Sequence, residues 1–118
     1  MKYTLDINNR PFKAIQSGVK KIEGRTTTPW DKTPYYKLQK GDMILFINNM
    51  TREKMEAEIL FVHHYSDTKS MLETEGLENV LSGKPKTTEH GIQSYNEIEG
   101  YKEGIRRNGI YAIGLELL

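Results

Sequence analysis

The feature that most constrains the fold is a series of short strand-like segments separated by equally short helix signals. Apolar and polar residues alternate over Lys2–Ile7 and again over 54–64, which is the period of a strand with one buried face. Residues 42–48 form a nearly continuous apolar run, which predicts a central strand buried on both faces. Residues 20–26 and 110–117 complete the set of predicted strands. This pattern predicts an α+β fold, built on a small, mostly antiparallel β-barrel with short flanking helices.

The helix signals are caps, first-turn prolines and stop glycines. Pro11 and Gly18 bound a helix of about two turns. A second helix is predicted from Asp67 to about Glu75 with Gly76 after it, and a further turn over 77–81. Residues 89–101 are predicted to form one longer helix. No linker or repeat divides the chain, so residues 1–118 are predicted to form one domain.

The composition excludes several classes of protein. The chain has no cysteine, which excludes a disulfide scaffold, thiolate catalysis and the usual cysteine-bearing zinc sites. No apolar run reaches membrane-spanning length, and the first residues lack the features of a signal peptide. We therefore expect a cytoplasmic protein with no membrane partner.

The net charge of +1 conceals an uneven distribution along the chain. Residues 1–40 carry a net charge of +6, residues 41–83 carry −5, and residues 84–118 are balanced. A polarised surface steers anionic partners to one face, whereas interleaving of these segments in the fold would scatter the charge. The sequence leaves both arrangements open.

The densest cluster of charge is GVKKIEGR, from Gly18 to Arg25. On a regular strand, Lys21, Glu23 and Arg25 share one face while Ile22 points to the core. Strand packing alone does not require such a row, and it can bind an anion or form ion pairs within itself. The cluster therefore predicts an anionic ligand.

The spacing Gly-x-Lys-x-x-Glu-x-Arg, filled by Gly18, Lys20, Glu23 and Arg25, resembles the signature of the ASCH domain family, a PUA-like barrel. The order of predicted strands and helices is similar along nearly the whole chain. The family pattern pairs Lys20 with Glu23, which would point oppositely on a regular strand, so it requires a bulge at Gly24 or a turn before the strand. The sequence does not decide which of Lys20 and Lys21 faces the cleft.

The resemblance implies a protein that binds RNA or a nucleotide-like small molecule, without a cofactor, in a basic cleft beside this motif. Lys20, Lys21 and Arg25 would neutralise phosphate, and Glu23 would either accept a hydrogen bond from a base amino group or orient a lysine. Aromatic side chains would stack on unpaired bases. The candidates are Trp30, Tyr35 and Tyr36 in a long polar loop after the motif and Tyr95 in the predicted helix, although Trp30 could instead only anchor the loop to the barrel. Tyr65 is expected to line the cavity together with one of the paired histidines.

An enzymatic alternative also follows from the resemblance, because some members of this family are similar to amidohydrolases that act on acylated cytidine. The catalytic residues would then be Lys20, Glu23 and either Glu73 or Glu75, of which Glu75 is preferred. This chain has Glu23 where the catalytic pattern has threonine, and a carboxylate is a poor substitute for a hydroxyl nucleophile. We therefore expect a binding protein rather than an enzyme, with a protein-interaction module as a third alternative.

The remaining candidate residues are histidines and paired arginines. His63 and His64 are strand neighbours that point to opposite faces, so no metal site is predicted, but one of them could face the cavity. His90 is expected to be exposed at the start of a helix. Arg106 and Arg107 precede an Asn-Gly turn signal and are expected in a solvated loop.

Overall fold

The chain forms five strands and five α-helices, and the computed structural model describes all residues from 1 to 118. The strands are β1 (Lys2–Ile7), β2 (Ile22–Arg25), β3 (Met43–Asn48), β4 (Lys54–Tyr65) and β5 (Ile110–Leu117). The helices are α1 (Asn9–Gln16), α2 (Thr68–Glu75), α3 (Leu77–Val80), α4 (Thr88–Glu97) and α5 (Tyr101–Asn108). None of these helices has the length and apolar character needed to cross a membrane.

The strands make one curled, mixed sheet in the order β1-β3-β4-β5-β2. Strand β1 runs parallel to β3, whereas the other three neighbouring pairs are antiparallel. The parallel pair arises because the connection from β1 to β3 is long enough to contain α1 and β2. The predicted α+β class is confirmed, but the sheet is a half-barrel, because β1 and β2 are its two edges and do not pair with each other.

Two apolar clusters hold the sheet to the helices. The first joins β1, β3, β4 and α1, with Phe12, Ile44, Phe46 and Ile59 fully buried. The second lies among the C-terminal helices and β5, and it contains Met71, Leu72, Tyr95 and Ile110. A register shift in β4 between Ile59 and Phe61 ends the alternation that the sequence predicts there.

Several predicted elements differ from the structure. Residues 89–101 do not form one helix, because Gly100 has a φ of +83° and separates α4 from α5. The prediction of a loop at Arg106 and Arg107 is also wrong, since both lie in the last turn of α5 and pair with Glu103. Strand β3 is fully buried on one face and only half-buried on the other.

Candidate ligand-binding site

A cavity of about 610 Å³ lies between the two unpaired edges of the sheet. Residues 4–7 of β1 line one side and Glu23, Gly24 and Arg25 of β2 line the other. The start of α1, residues 80–83 and one face of α4 complete the wall. Pockets for small ligands typically have volumes of roughly 300–1,000 Å³, so this cavity can hold a nucleotide-sized molecule.

The polar floor of the cavity consists of Lys20, Glu23 and Arg25. These residues are 4%, 7% and 8% exposed, which is unusual for charged residues. Glu23 and Arg25 are two residues apart on β2 and share one face. Lys20 precedes the strand, in a turn where its N–H donates to the carbonyl of Ala14 at 3.0 Å. This turn brings Lys20 to Glu23, and β2 pairs with β5 in regular register without a bulge at Gly24.

The carboxylate of Glu23 is at the centre of this group. Its Oε1 lies 3.4 Å from Lys20 Nζ, and its Oε2 accepts a hydrogen bond from Arg25 Nε at 2.8 Å. Arg25 Nη2 also donates to the carbonyl of Asp6 at 2.9 Å, and Nη1 lies 3.8 Å from Asp31 Oδ2. Because Asp6 is on β1, the guanidinium of Arg25 connects the two edge strands across the cavity.

The ammonium group of Lys20 has no N–H left for a ligand. Nζ donates to the carbonyl of Ile22 at 2.7 Å and to the carbonyl of Val80, and its third neighbour is Glu23. A lysine ammonium has three N–H donors, so these acceptors use all of them. Burial lowers the pKa of Lys20, and the charge of Glu23 offsets only part of this effect. Lys20 therefore holds Glu23 in position.

Glu23 remains ionised in spite of its burial. Burial alone would raise the pKa of this carboxyl, but the charges of Arg25 and Lys20 outweigh it, and the pKa lies below the ordinary value. Burial would lower the pKa of Arg25, but the carboxylate of Glu23 raises it instead. The floor therefore presents a carboxylate that can accept hydrogen bonds beside a guanidinium that still has N–H donors.

Two buried tyrosines, Tyr95 and Tyr101, line the cavity next to this floor. Their rings stack with centroids 6.3 Å apart. A Cβ atom on Gly24 would lie 2.5 Å from Tyr95 Oη, so a larger residue at this position would have to displace the buried tyrosine ring. Burial raises the pKa of Tyr101 to about 12, so its hydroxyl is neutral and can donate a hydrogen bond.

Trp30 stands at the rim of the cavity with 68% of its surface exposed. The hydroxyl of Thr28 accepts hydrogen bonds from the backbone N–H groups of Trp30 and Asp31, which holds the turn that carries the indole. The indole also lies against Gly100, where a Cβ would come within 2.6 Å of Cζ3. Trp30 is therefore anchored along one edge while most of its surface faces solvent.

Other residues with predicted roles lie away from this cavity. Lys21 is exposed and lines a separate small groove together with Glu75. Glu75 accepts a hydrogen bond from the hydroxyl of Tyr65 and lies 2.6 Å from His63 Nδ1. His64 is hydrogen-bonded to the carbonyl of Asn108, at 2.7 Å.

The two tyrosines of the long loop have different environments. Tyr35 is completely buried and donates a hydrogen bond to Asp31, whereas Tyr36 is 71% exposed and does not line the cavity. Of the aromatic candidates, the structure therefore brings only Trp30 and Tyr95 to the cavity.

Several cavity residues were not identified from the sequence, among them Arg10, Asp31 and Tyr101. Arg10 is the second residue of α1, and no motif connects it with the Gly18–Arg25 segment. His90, expected to be exposed, is half-buried and also lines the cavity. The only signal for Arg10 was the positive charge of the N-terminal third.

The charge of the cavity differs from the predicted basic cleft. Its lysine and arginine residues are Arg10, Lys20 and Arg25, and its acidic residues are Asp6, Glu23 and Asp31. These are all the acidic residues of the N-terminal third, so folding gathers them beside three of its nine basic residues. The cavity is therefore balanced in formal charge, and the positive excess of this third lies elsewhere.

Comparison with known proteins agrees with this architecture. The family model of the ASCH domain matches residues 5–118. A crystal structure of hypothetical protein PH0355 is 30% identical, with a TM-score of 0.83 and complete coverage of both chains. A solution NMR structure of protein PF0455 from Pyrococcus furiosus is 31% identical, with a TM-score of 0.74, covering 100% of this chain and 98% of that one. No curated protein matches this chain.

Proposed function

The chain belongs to the ASCH domain family, and we propose that it binds single-stranded RNA or a nucleotide-like ligand in the cavity between β1 and β2. Members of this family are generally thought to bind RNA. The observation that carries the proposal is the buried carboxylate of Glu23, held ionised at the floor of an open cavity with an exposed tryptophan at its rim.

The floor is suited to the edge of a nucleobase. Glu23 is fixed by Lys20 and Arg25, yet each carboxylate oxygen has only one of these partners and can accept a further hydrogen bond. Base amino and imino groups are donors, and base carbonyls can accept from the free N–H groups of Arg25. A base inserted between the sheet edges would therefore find both kinds of partner.

The rim is suited to stacking. Trp30 is anchored by its turn and by Gly100, so little side-chain entropy is lost when a base stacks on it. A stacked base contributes about 1–3 kcal/mol in single-strand binding. Tyr95 lies deeper in the same cavity and can contact a base that enters it.

The geometry favours binding over the amidohydrolase alternative. Glu75 lies outside the cavity, and Lys20 uses its N–H groups on two carbonyls and Glu23. The nearby hydroxyl of Thr26 is fully buried and donates to the carbonyl of Gly109 at 2.8 Å. Incubation of the protein with an acylated cytidine should therefore release no cytidine.

Trp30→Ala is the main test, with Tyr36→Ala as its matched control. Both side chains are exposed aromatics of the same loop, but only Trp30 lines the cavity. Fluorescence anisotropy of a labelled single-stranded oligoribonucleotide would measure the dissociation constant of each variant. We expect Trp30→Ala to weaken binding by about 1–3 kcal/mol, and Tyr36→Ala to leave it unchanged.

Lys21→Gln provides a second control, because Lys21 is exposed on the far side of Glu23's strand. It should leave RNA affinity within twofold of the natural protein. Equal losses of RNA affinity in Trp30→Ala and Tyr36→Ala, or a large loss in Lys21→Gln, would show that RNA binds to a surface outside this cavity. Absence of any RNA or nucleotide binding would leave the protein-interaction alternative.

A further inference from the structure

We infer that Arg10 forms a phosphate-binding subsite at the rim of the cavity, separate from the charged floor. This inference rests on the proposed function, because it assigns the phosphate of the same ligand to a residue that neither the motif nor the family match identifies. It also implies that the cavity binds the base and the phosphate of one ligand at two different places.

The positive charges of the floor are balanced by neighbouring carboxylates, although Arg25 keeps some free N–H groups. Lys20 is surrounded by two carbonyls and Glu23, and the guanidinium of Arg25 contacts Glu23, Asp31 and the carbonyl of Asp6. A phosphate at this floor would meet the ionised carboxylate of Glu23 at close range, in a buried setting where repulsion is strong. The floor therefore disfavours a phosphate group.

Arg10 has the opposite environment. It is exposed, it lines the cavity, and its guanidinium forms no ion pair. It lies against Gly83, where an added Cβ would be 3.0 Å from Nη1. The absence of a side chain at residue 83 lets the planar guanidinium lie close to the backbone, with its N–H edges available to two phosphate oxygens.

One acidic residue opposes this subsite. Asp6 also lines the cavity, and its carboxylate forms no ion pair. Its backbone carbonyl accepts a hydrogen bond from Arg25, which holds the main chain of Asp6 at this edge of the cavity. Asp6 should therefore weaken phosphate binding, and its removal should strengthen it.

The experiment compares each ribonucleoside with its 5′- and 3′-monophosphates. Dissociation constants would come from chemical-shift titration of the ¹⁵N-labelled protein, for the natural chain, Arg10→Gln and Asp6→Asn. Arg106→Gln is the matched control, because Arg106 is an exposed helical arginine that does not line the cavity. Amide spectra without ligand would establish that each variant is folded.

We expect either the 5′- or the 3′-monophosphates to bind about fivefold more tightly than the nucleosides, because the phosphate adds one charge-assisted hydrogen-bonding contact with Arg10. Arg10→Gln should abolish this gain while leaving nucleoside affinity unchanged, Asp6→Asn should enlarge it, and Arg106→Gln should not alter it. With single-stranded RNA, Arg10→Gln should also reduce the slope of log affinity against log salt by about 0.7.

The possible failures are distinguishable. If monophosphates bind no better than nucleosides, or if Arg10→Gln keeps the gain, the subsite is overturned while base binding in the cavity stands. If neither nucleosides nor nucleotides bind, the proposed function fails and the subsite fails with it. An Asp6→Asn variant that weakens the phosphate gain would also contradict the inference.

Discussion

Replacement of Lys20 by methionine tests whether this residue supports the cavity or contacts the ligand. Methionine keeps an apolar stem of similar length but removes the ammonium group. The change leaves the carbonyls of Ile22 and Val80 without their buried donor, and it removes one of the two cations beside Glu23.

The magnitude follows from these lost contacts. A buried acceptor left without a partner costs about 1–3 kcal/mol, and a broken buried ion pair costs about 3–5 kcal/mol. Lys20 lines the cavity, so water can replace part of the lost hydrogen bonding, and Arg25 still pairs with Glu23. The total loss of stability is therefore smaller than the sum of these separate costs. We expect the free energy of unfolding to fall by about 3–5 kcal/mol, a large share of the 5–15 kcal/mol typical of a domain.

Urea unfolding followed by circular dichroism would measure this change at pH 7. The adjacent Lys21→Met is the matched control, because Lys21 is exposed and makes no ion pair, and it should change the free energy by less than about 0.5 kcal/mol. A Lys20→Met variant as stable as the natural chain but unable to bind RNA would refute the reasoning, because Lys20 would then contact the ligand directly.

Two further predictions concern the floor. The pKa of Glu23 is lower in the folded chain than its value of about 4.3 in the unfolded chain. The ionised carboxylate therefore contributes its full stabilisation above about pH 4.3. This stabilisation is lost as the pH falls through the pKa of the folded state. The difference in unfolding free energy between the natural chain and Glu23→Gln should therefore narrow below about pH 4.3, and a constant difference down to pH 3 would contradict it. Gly24→Ala places a methyl group 2.5 Å from Tyr95 Oη, so it should destabilise the chain by about 1–3 kcal/mol and weaken RNA binding in the same anisotropy assay. Unchanged urea unfolding would mean that Tyr95 moves aside freely.

Local signals in the sequence predicted most strands and helices correctly. The alternation of Lys2–Ile7 predicted β1, and Asp67 caps α2 by accepting a hydrogen bond from the N–H of Ser70 at 2.8 Å. Gly76 ends that helix with a φ of +96°. Each of these features depends on residues within one turn or one strand, which is why the sequence carries them.

The features that were missed depend on contacts between distant residues. The parallel pairing of β1 with β3 is set by the path of residues 8–42, which periodicity does not encode. Similarly, Glu75 lies in a correctly predicted helix, but the direction of α2 turns it toward His63 and Tyr65, away from the cavity. Arg10 reaches the cavity only because α1 begins beside the loop that contains Gly83.

The motif itself shows how spacing encodes geometry. On a continuous strand, residues three apart face opposite ways, so the Lys20–Glu23 contact requires that the strand has not yet begun at Lys20. Gly18, with a φ of +85°, ends α1 and allows the chain to reverse, and the N–H of Lys20 returns to the carbonyl of Ala14. Only from Ile22 onward does the chain alternate, which places Glu23 and Arg25 on one face. The spacing Gly-x-Lys-x-x-Glu-x-Arg thus specifies a turn followed by a strand, and it is this change of structure between Lys20 and Glu23 that brings three charged side chains to one buried point.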